Sequence, residues 1–177
     1  GGEGGLTVER IVDVNQILDW KNYNKLSLFV TATCEFGRFD NPARISAGEH
    51  IILNPSGGGV ALLTTTRYVY SHLNYSLNTN FMNTLFEKVD GEYKTLGEAF
   101  LDTKVMSGTS INSNKFTLLG DPMMKLSYPD YDVISTFVTD TLGALQKVYF
   151  EGEIVSLDSN KVDNFNGKVN ITVFDKE

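Results

Sequence analysis

The chain has 177 residues, 41% of them hydrophobic and 21% charged, which supports a buried core and argues against disorder. The 22 acidic and 15 basic residues leave a net charge of −7 without any basic stripe, which argues against binding to a phosphate backbone. No apolar run reaches the about 18 residues of a membrane span, and the single cysteine excludes an internal disulfide and a cysteine-rich zinc site.

Gly1-Gly2-Glu3-Gly4-Gly5 carries no signal-peptide pattern. With no strand before it and no Lys-Ser/Thr pair after it, it is no phosphate loop, and it reads as a linker. Asp13 to Trp20 predicts a short helix, with Ile11, Val14, Ile17 and Leu18 at near-helical spacing. Leu26 to Thr33 is apolar rather than alternating, which predicts a strand covered on both faces. A loop through Asn41-Pro42 leads to Ser46-Ala47-Gly48-Glu49, a capping box that opens a helix to about Leu53. Asn54-Pro55-Ser56-Gly57-Gly58-Gly59 ends that helix. Val60 to Thr66 is a second buried strand, and the polar stretch Arg67 to Tyr75 reads as a loop. Thr79 to Lys88 predicts a helix with Phe81, Leu85 and Phe86 inward, and Val89 to Glu92 a turn. Thr95-Leu96-Gly97-Glu98 is a second capping box, for a helix to about Met106. Lys115 to Leu119 is a third strand, closed by Gly120-Asp121-Pro122, and Met124 to Ser127 an edge strand. Strands alternating with helices predict an α/β fold with a mainly parallel sheet flanked by helices.

From about Tyr131 the helical pattern stops. Lys147 to Val155 alternates like a strand, Asp158-Ser159-Asn160 is a turn, and Gly167 to Phe174 sets Val169, Ile171 and Val173 on one face. This is β-sandwich material, too short for the roughly 100 residues of a typical sandwich domain. The expectation is therefore two domains, 1–130 and 131–177, the chain stopping inside the second.

The chemistry centres on Cys34. It follows an apolar strand and precedes the polar turn Glu35-Phe36-Gly37-Arg38-Phe39-Asp40, and ligands gather at the carboxyl ends of strands in α/β sheets. A thiol there is either a nucleophile or a small buried hydrophobe. A nucleophile needs a base or a field that lowers its pKa. Only two histidines exist: His50 inside the second helix, and His72 in the loop after the second strand. Glu35 reads as a group that orients the base, or rims the pocket, or is simply a solvated loop carboxylate. Arg38 and Asp40 read either as substrate ligands or as an ion pair bracing the loop. Thr64, Thr65, Thr66 and Arg67 end the neighbouring strand and either line a cleft or cap it. Trp20 reads as core. Asn74-Tyr75-Ser76 and Asn170-Ile171-Thr172 match the glycosylation pattern.

Thr31 to Asp40 resembles the nucleophile segment of gingipain-type cysteine peptidases, closest to the sortase branch of the type IX secretion system. The resemblance continues through Ser46 to Glu49, Leu53-Asn54-Pro55, Gly58-Gly59, Ala61 to Arg67 and Tyr70-Ser71. It runs on through Asn78 to Phe81 and Leu118 to Pro122, and reaches Phe165-Asn166-Gly167. It implies a caspase-like domain followed by an immunoglobulin-like domain, and cleavage of peptide bonds by a Cys–His pair. In the family the histidine stands in a Gly-His-Gly motif upstream of the cysteine. Gly1 to Gly5 resembles the stretch just after it, so neither His50 nor His72 is the family base.

The resemblance makes Cys34 nucleophile and oxyanion donor, with Gly1 or Gly2 as second oxyanion donor. Glu35, Arg38, Asp40, Thr66 and Arg67 become candidate substrate contacts. It implies a protein or peptide substrate, no nucleic acid, no membrane span, and other secretion-system components as partners. It implies no cofactor, with calcium left open, and a secreted, periplasmic or outer-membrane-surface location. The 177 residues by themselves are expected to lack activity. The alternative is a non-catalytic secreted or cell-surface assembly module with an inert Cys34. An α/β-hydrolase is disfavoured because no Gly-x-Ser-x-Gly elbow is present.

Overall fold

A computed structural model describes residues 2–6, 11–139, 141, 143, 145–172 and 174. They fall into two compact units, Gly1–Leu126 and Ser127–Glu177.

In the first unit β1 (Gly5–Leu6) pairs antiparallel with β2 (Val12–Asp13), so the glycine-rich start is woven into the fold and is not a linker. Helix α1 (Val14–Asp19) starts on a capping box in which Asp13 and Gln16 exchange side-chain-to-backbone bonds of 2.9 Å. Strand β3 (Ser27–Val30) leads through a long turn to α2 (Ala47–Leu53), opened by the Ser46/Glu49 box. Strand β4 (Gly59–Thr65) follows, then α3 (Ser71–Leu85). A hairpin of β5 (Lys88–Val89) and β6 (Glu92–Tyr93) turns on Asp90-Gly91, both at positive φ as such two-residue turns require. Helix α4 (Leu96–Ser107), opened by the Thr95/Glu98 box, and β7 (Phe116–Gly120) complete the unit.

The central sheet has the order β3-β4-β7. β3 and β4 are parallel, with Leu28 opposite Ala61 and Val30 opposite Leu63. β4 and β7 are antiparallel, with Leu62 opposite Leu119. The α/β fold read from the sequence stands, but the sheet is mixed rather than mainly parallel. A single crossover helix would return the chain for a parallel strand. Two helices, α3 and α4, lie between β4 and β7, so β7 enters from the other end.

Alternate residues of β4 feed two cores. Ala61 and Leu63 pack with Leu77, Phe81, Leu85, Leu96, Ala99 and Phe116, beneath α3 and α4. Leu62 packs with Ile17, Phe36, Ala47 and Ile51, beneath α1 and α2. The sheet is thus the middle of three layers.

In this unit the start of α3 and the edge strand after β7 differ from the prediction. Helix α3 begins at Ser71, not Thr79, because Ser71, His72, Tyr75 and Ser76 form its exposed face while Asn74, Leu77 and Phe81 turn inward. Met124 to Ser127 is no strand. The Met124 and Pro122 carbonyls instead accept the Leu96 and Gly97 N–H groups at 2.8 Å, serving free donors in the first turn of α4.

In the second unit β8 (Tyr131–Val138) pairs antiparallel with β9 (Phe150–Ser156). The turn at Asp158-Ser159-Asn160 closes with Ser159 at φ 62. Residues 167–172 form no strand, although they alternate, since no ladder partner pairs with them among the described residues; Val173 lies outside those residues. No helix among the described residues is long and apolar enough to cross a membrane.

Candidate active site

Because β3 and β4 are parallel, their carboxyl ends open on one edge of the sheet. The turn after β3 carries Cys34 and the turn after β4 carries Val69. Threonines stitch the two ends together. The Thr31 N–H donates to the Leu63 carbonyl at 2.9 Å and the Thr31 hydroxyl to Thr64 Oγ1 at 2.9 Å. The Thr65 hydroxyl donates to the Thr33 carbonyl. Gly37 N–H donates to Thr65 O at 3.0 Å, and Glu35 N–H to Arg67 O at 3.4 Å. Phe36 is fully buried and pins the turn into the core beneath α2. Gly37 allows the closeness, since a Cβ there would lie 2.1 Å from Thr64 Cγ2.

Cys34 is half-buried, with its sulfur held against the backbone of Val69. The thiol donates to the Val69 carbonyl at 3.6 Å, and the Val69 N–H donates to the sulfur at 3.5 Å. Among the described residues no acceptor takes the Cys34 N–H. Val69 is held in turn through Tyr70, whose N–H donates to Asn112 Oδ1 at 2.7 Å, while Asn112 bonds the buried Asn74 of α3.

Glu35, next in the chain, adopts φ 55, the left-handed region that a residue with a side chain occupies only when its surroundings hold it. It is 8% exposed, not a solvated carboxylate. Its Oε1 meets Arg38 Nη1 at 3.0 Å, and the same nitrogen meets Glu3 Oε1 at 2.9 Å. Glu3 Oε2 accepts from Asn41 Nδ2 at 2.9 Å and pairs with the Arg44 guanidinium, whose Nε lies 3.2 Å away. Arg38 and Asp40 therefore do not brace the loop as a pair. Asp40 pairs with Arg67 across the two turns, in solvent. The hydrogen bond from Arg67 first, and its charge as well, hold the Asp40 carboxyl below the usual range. Thr66 is turned away toward Lys115 O, which accepts its N–H at 2.9 Å and its hydroxyl at 3.3 Å.

Gly2 donates its N–H to Gly5 O at 3.0 Å. It would serve an oxyanion only after that bond opens, and Gly1 lies outside the described residues. His50 is half-buried in α2. His72 is exposed in the first turn of α3 rather than in a loop, its ring 6.3 Å from that of Tyr70. Neither histidine bonds Cys34 among the described residues. No group of three His, Cys, Asp or Glu there could hold a metal. Trp20 stacks on Phe29 at 5.3 Å and packs against the α1/α2 core. The sequence pointed to Cys34 and its turn but not to Glu3, Val69 or Asn112. An acid among four glycines, and an apolar residue in a polar loop, carry no local signal of a partner more than 30 residues away.

Residues 1–127 match the family model described as peptidase family C25. No curated protein matches the chain at a significant level. Among solved structures, one described as a protease superposes with a TM-score of 0.63 at 15% identity, covering 86% of this chain and 40% of that one. The Arg-specific cysteine proteinase gingipain R superposes at 0.58 with 17% identity, covering 87% and 38%. A complex of the pro- and mature domains of that proteinase from Porphyromonas gingivalis gives 0.57 and 16%, covering 87% and 38%. The chain thus spans about two fifths of the length of these structures, and the likeness is one of fold.

Proposed function

The chain belongs to peptidase family C25, and from this premise we propose that Cys34 is the nucleophile of a cysteine endopeptidase. The observation that supports this reading most is the pairing of a half-buried thiol with a Cys34 N–H that no described residue accepts, at the shared carboxyl end of β3 and β4. A nucleophile and an oxyanion donor on one residue are what acyl transfer needs.

In the proposed reaction a histidine base takes the thiol proton, and Sγ attacks the scissile carbonyl. Neither His50 nor His72 bonds the thiol, so the base is assigned to the wider protein. The new C–S bond forms a tetrahedral oxyanion held by the Cys34 N–H. The base then returns the proton to the leaving amine as the C–N bond breaks. Water releases the acyl-enzyme in a peptidase; a substrate amine would do so in a secretion-system sortase, through the same site. The Val69 N–H remains a donor to the sulfur after ionisation, whereas the Val69 carbonyl loses its donor. Ionisation thus removes the bond to the carbonyl and leaves the sulfur held by the Val69 N–H.

Among the candidate substrate contacts, Arg67 and Asp40 are the exposed pair at the rim. Glu35 and Arg38 support the turn from beneath, and Thr66 faces Lys115. This chemistry uses no cofactor. We assign a peptide or protein substrate, a secreted, periplasmic or outer-surface location, and secretion-system partners to the whole protein. The second unit is read as the start of an immunoglobulin-like domain. The antiparallel pairing of β8 with β9 is compatible with this reading.

The test is cleavage of a peptide library by the full-length protein and its Cys34→Ala variant. We expect turnover to fall at least about 10³-fold on substitution. No cleavage by either, with a Cys34 that resists iodoacetamide until unfolding, would favour an assembly module with an inert thiol.

A further inference from the structure

We propose that Glu3 is the positioning residue of this site. Through Arg38 and Glu35 it sets the turn that carries Cys34, and so the direction from which the sulfur approaches a carbonyl. This rests on Cys34 being the nucleophile.

The Glu3 side chain is 12% exposed, accepts hydrogen bonds from Arg38 and Asn41, and forms an ion pair with Arg44. All three belong to the single stretch of chain between Cys34 and α2. Arg38 passes the link to Glu35 through the same nitrogen that meets Glu3. Glu35 is bonded directly to Cys34 in sequence and sits at φ 55, a conformation that must be held. Its carboxylate is held by Arg38, and Arg38 by Glu3.

The main chain ties the same parts together independently. The first two amides of α2, Ala47 and Gly48, donate to the carbonyls of Glu3 at 2.7 Å and Phe36 at 2.8 Å. One helix end therefore clamps the Glu3 segment and the Cys34 turn side by side. A Cβ on Gly48 would lie 2.8 Å from Phe36 O, so the clamp leaves no slack. Two carboxylates against two guanidiniums balance the charge of the cluster. Without the Glu3 charge one of its two acceptor oxygens becomes an NH2 donor that faces Arg38 or Asn41 and Arg44, and both guanidiniums lose the carboxylate between them. The turn is then free to choose another conformation.

Glu3→Gln in the full-length protein keeps the shape and removes the charge. We expect kcat to fall about tenfold with KM within about twofold, since ~1 Å of misplacement costs up to about 10²-fold in chemistry without weakening ground-state binding. The rate at which iodoacetamide alkylates folded Cys34 should change by at least about threefold. Glu3→Asp should recover part of the lost kcat. Arg38→Lys, which keeps the charge but ends one bond short of the nitrogen that meets both carboxylates, should repeat the loss.

Wild-type kcat and alkylation rate in Glu3→Gln would overturn the proposal. So would a loss of kcat that follows the folded fraction alone, with the alkylation rate of folded protein unchanged. If Glu3→Gln does not fold, Arg38→Lys decides by the same two readouts. If the wild-type protein shows no cleavage that depends on Cys34, the peptidase reading fails, and the alkylation rates still decide whether Glu3 sets the thiol's position.

Discussion

Asp40 and Arg67 join the turn after β3 to the turn after β4 through a bidentate pair in open solvent. Because the pair depresses the Asp40 pKa, its contribution is fully present above the ordinary carboxylate range. It is lost as pH falls through the lowered Asp40 value. A carboxyl-carbon NMR titration should give an Asp40 midpoint below the usual value of about 3.9, and Arg67→Gln should move it back up. High salt should shrink the difference, as expected for an exposed pair. An unshifted midpoint in the wild type would show that this pair does not persist in solution. At this scale Cys34 was legible, since one thiol after an apolar strand is a local pattern. Glu3 was not, because its meaning depends on Arg38 and Asn41, 35 and 38 positions away. The ion pairing of Arg38 and Asp40 was open to misreading for the same reason: two opposite charges in one loop each found a partner outside it.

Helix starts were the most legible elements. Ser46/Glu49 and Thr95/Glu98 each write their geometry into four consecutive residues, and both boxes form. Ser46→Ala should cost about 1 kcal/mol in urea unfolding, through a lower midpoint at unchanged slope. Ser46→Thr, which keeps the capping hydroxyl and its bond to Glu49, should lose much less; equal losses would mean that Ser46 acts by packing in its fully buried position rather than by capping. The start of α3 was illegible because it has no such box. Tyr70 makes no side-chain cap, and the inward-facing residue of the first turns is Asn74, whose burial depends on Asn112 from a distant loop. The direction of β7 was illegible too. Periodicity shows that a strand exists, whereas its direction depends on how many helices precede it.

At the scale of the molecule, burial is uneven. Residues 61–65 of β4 are all buried between two helical layers, whereas every residue of β8 is exposed. A two-stranded sheet is marginal in water by itself. Amide exchange should therefore be slowest in β4 and fast throughout β8 and β9, measured by mass spectrometry or NMR on the same sample. Equal protection in the two sheets would show that β8 and β9 are covered in solution. The α/β class was legible because alternation of strands and helices is a property of the whole string. The second unit was less so, since the alternation from Gly167 to Phe174 predicted a strand for which residues 167–172 find no pairing partner among the described residues. One buried side chain has a consequence for making the protein. Asn74 heads an Asn-Tyr-Ser acceptor sequence, is 4% exposed, and accepts from Asn112, whereas Asn170 in the other acceptor sequence is exposed. A eukaryotic secretory host attaches sugar to such sites before the chain has folded. A glycan on Asn74 would occupy the space where α3 meets the loop at Asn112, and the bracket around Cys34 could not close. Native material from such a host would carry sugar at Asn170 alone, and the fraction modified at Asn74 would be retained as misfolded chain.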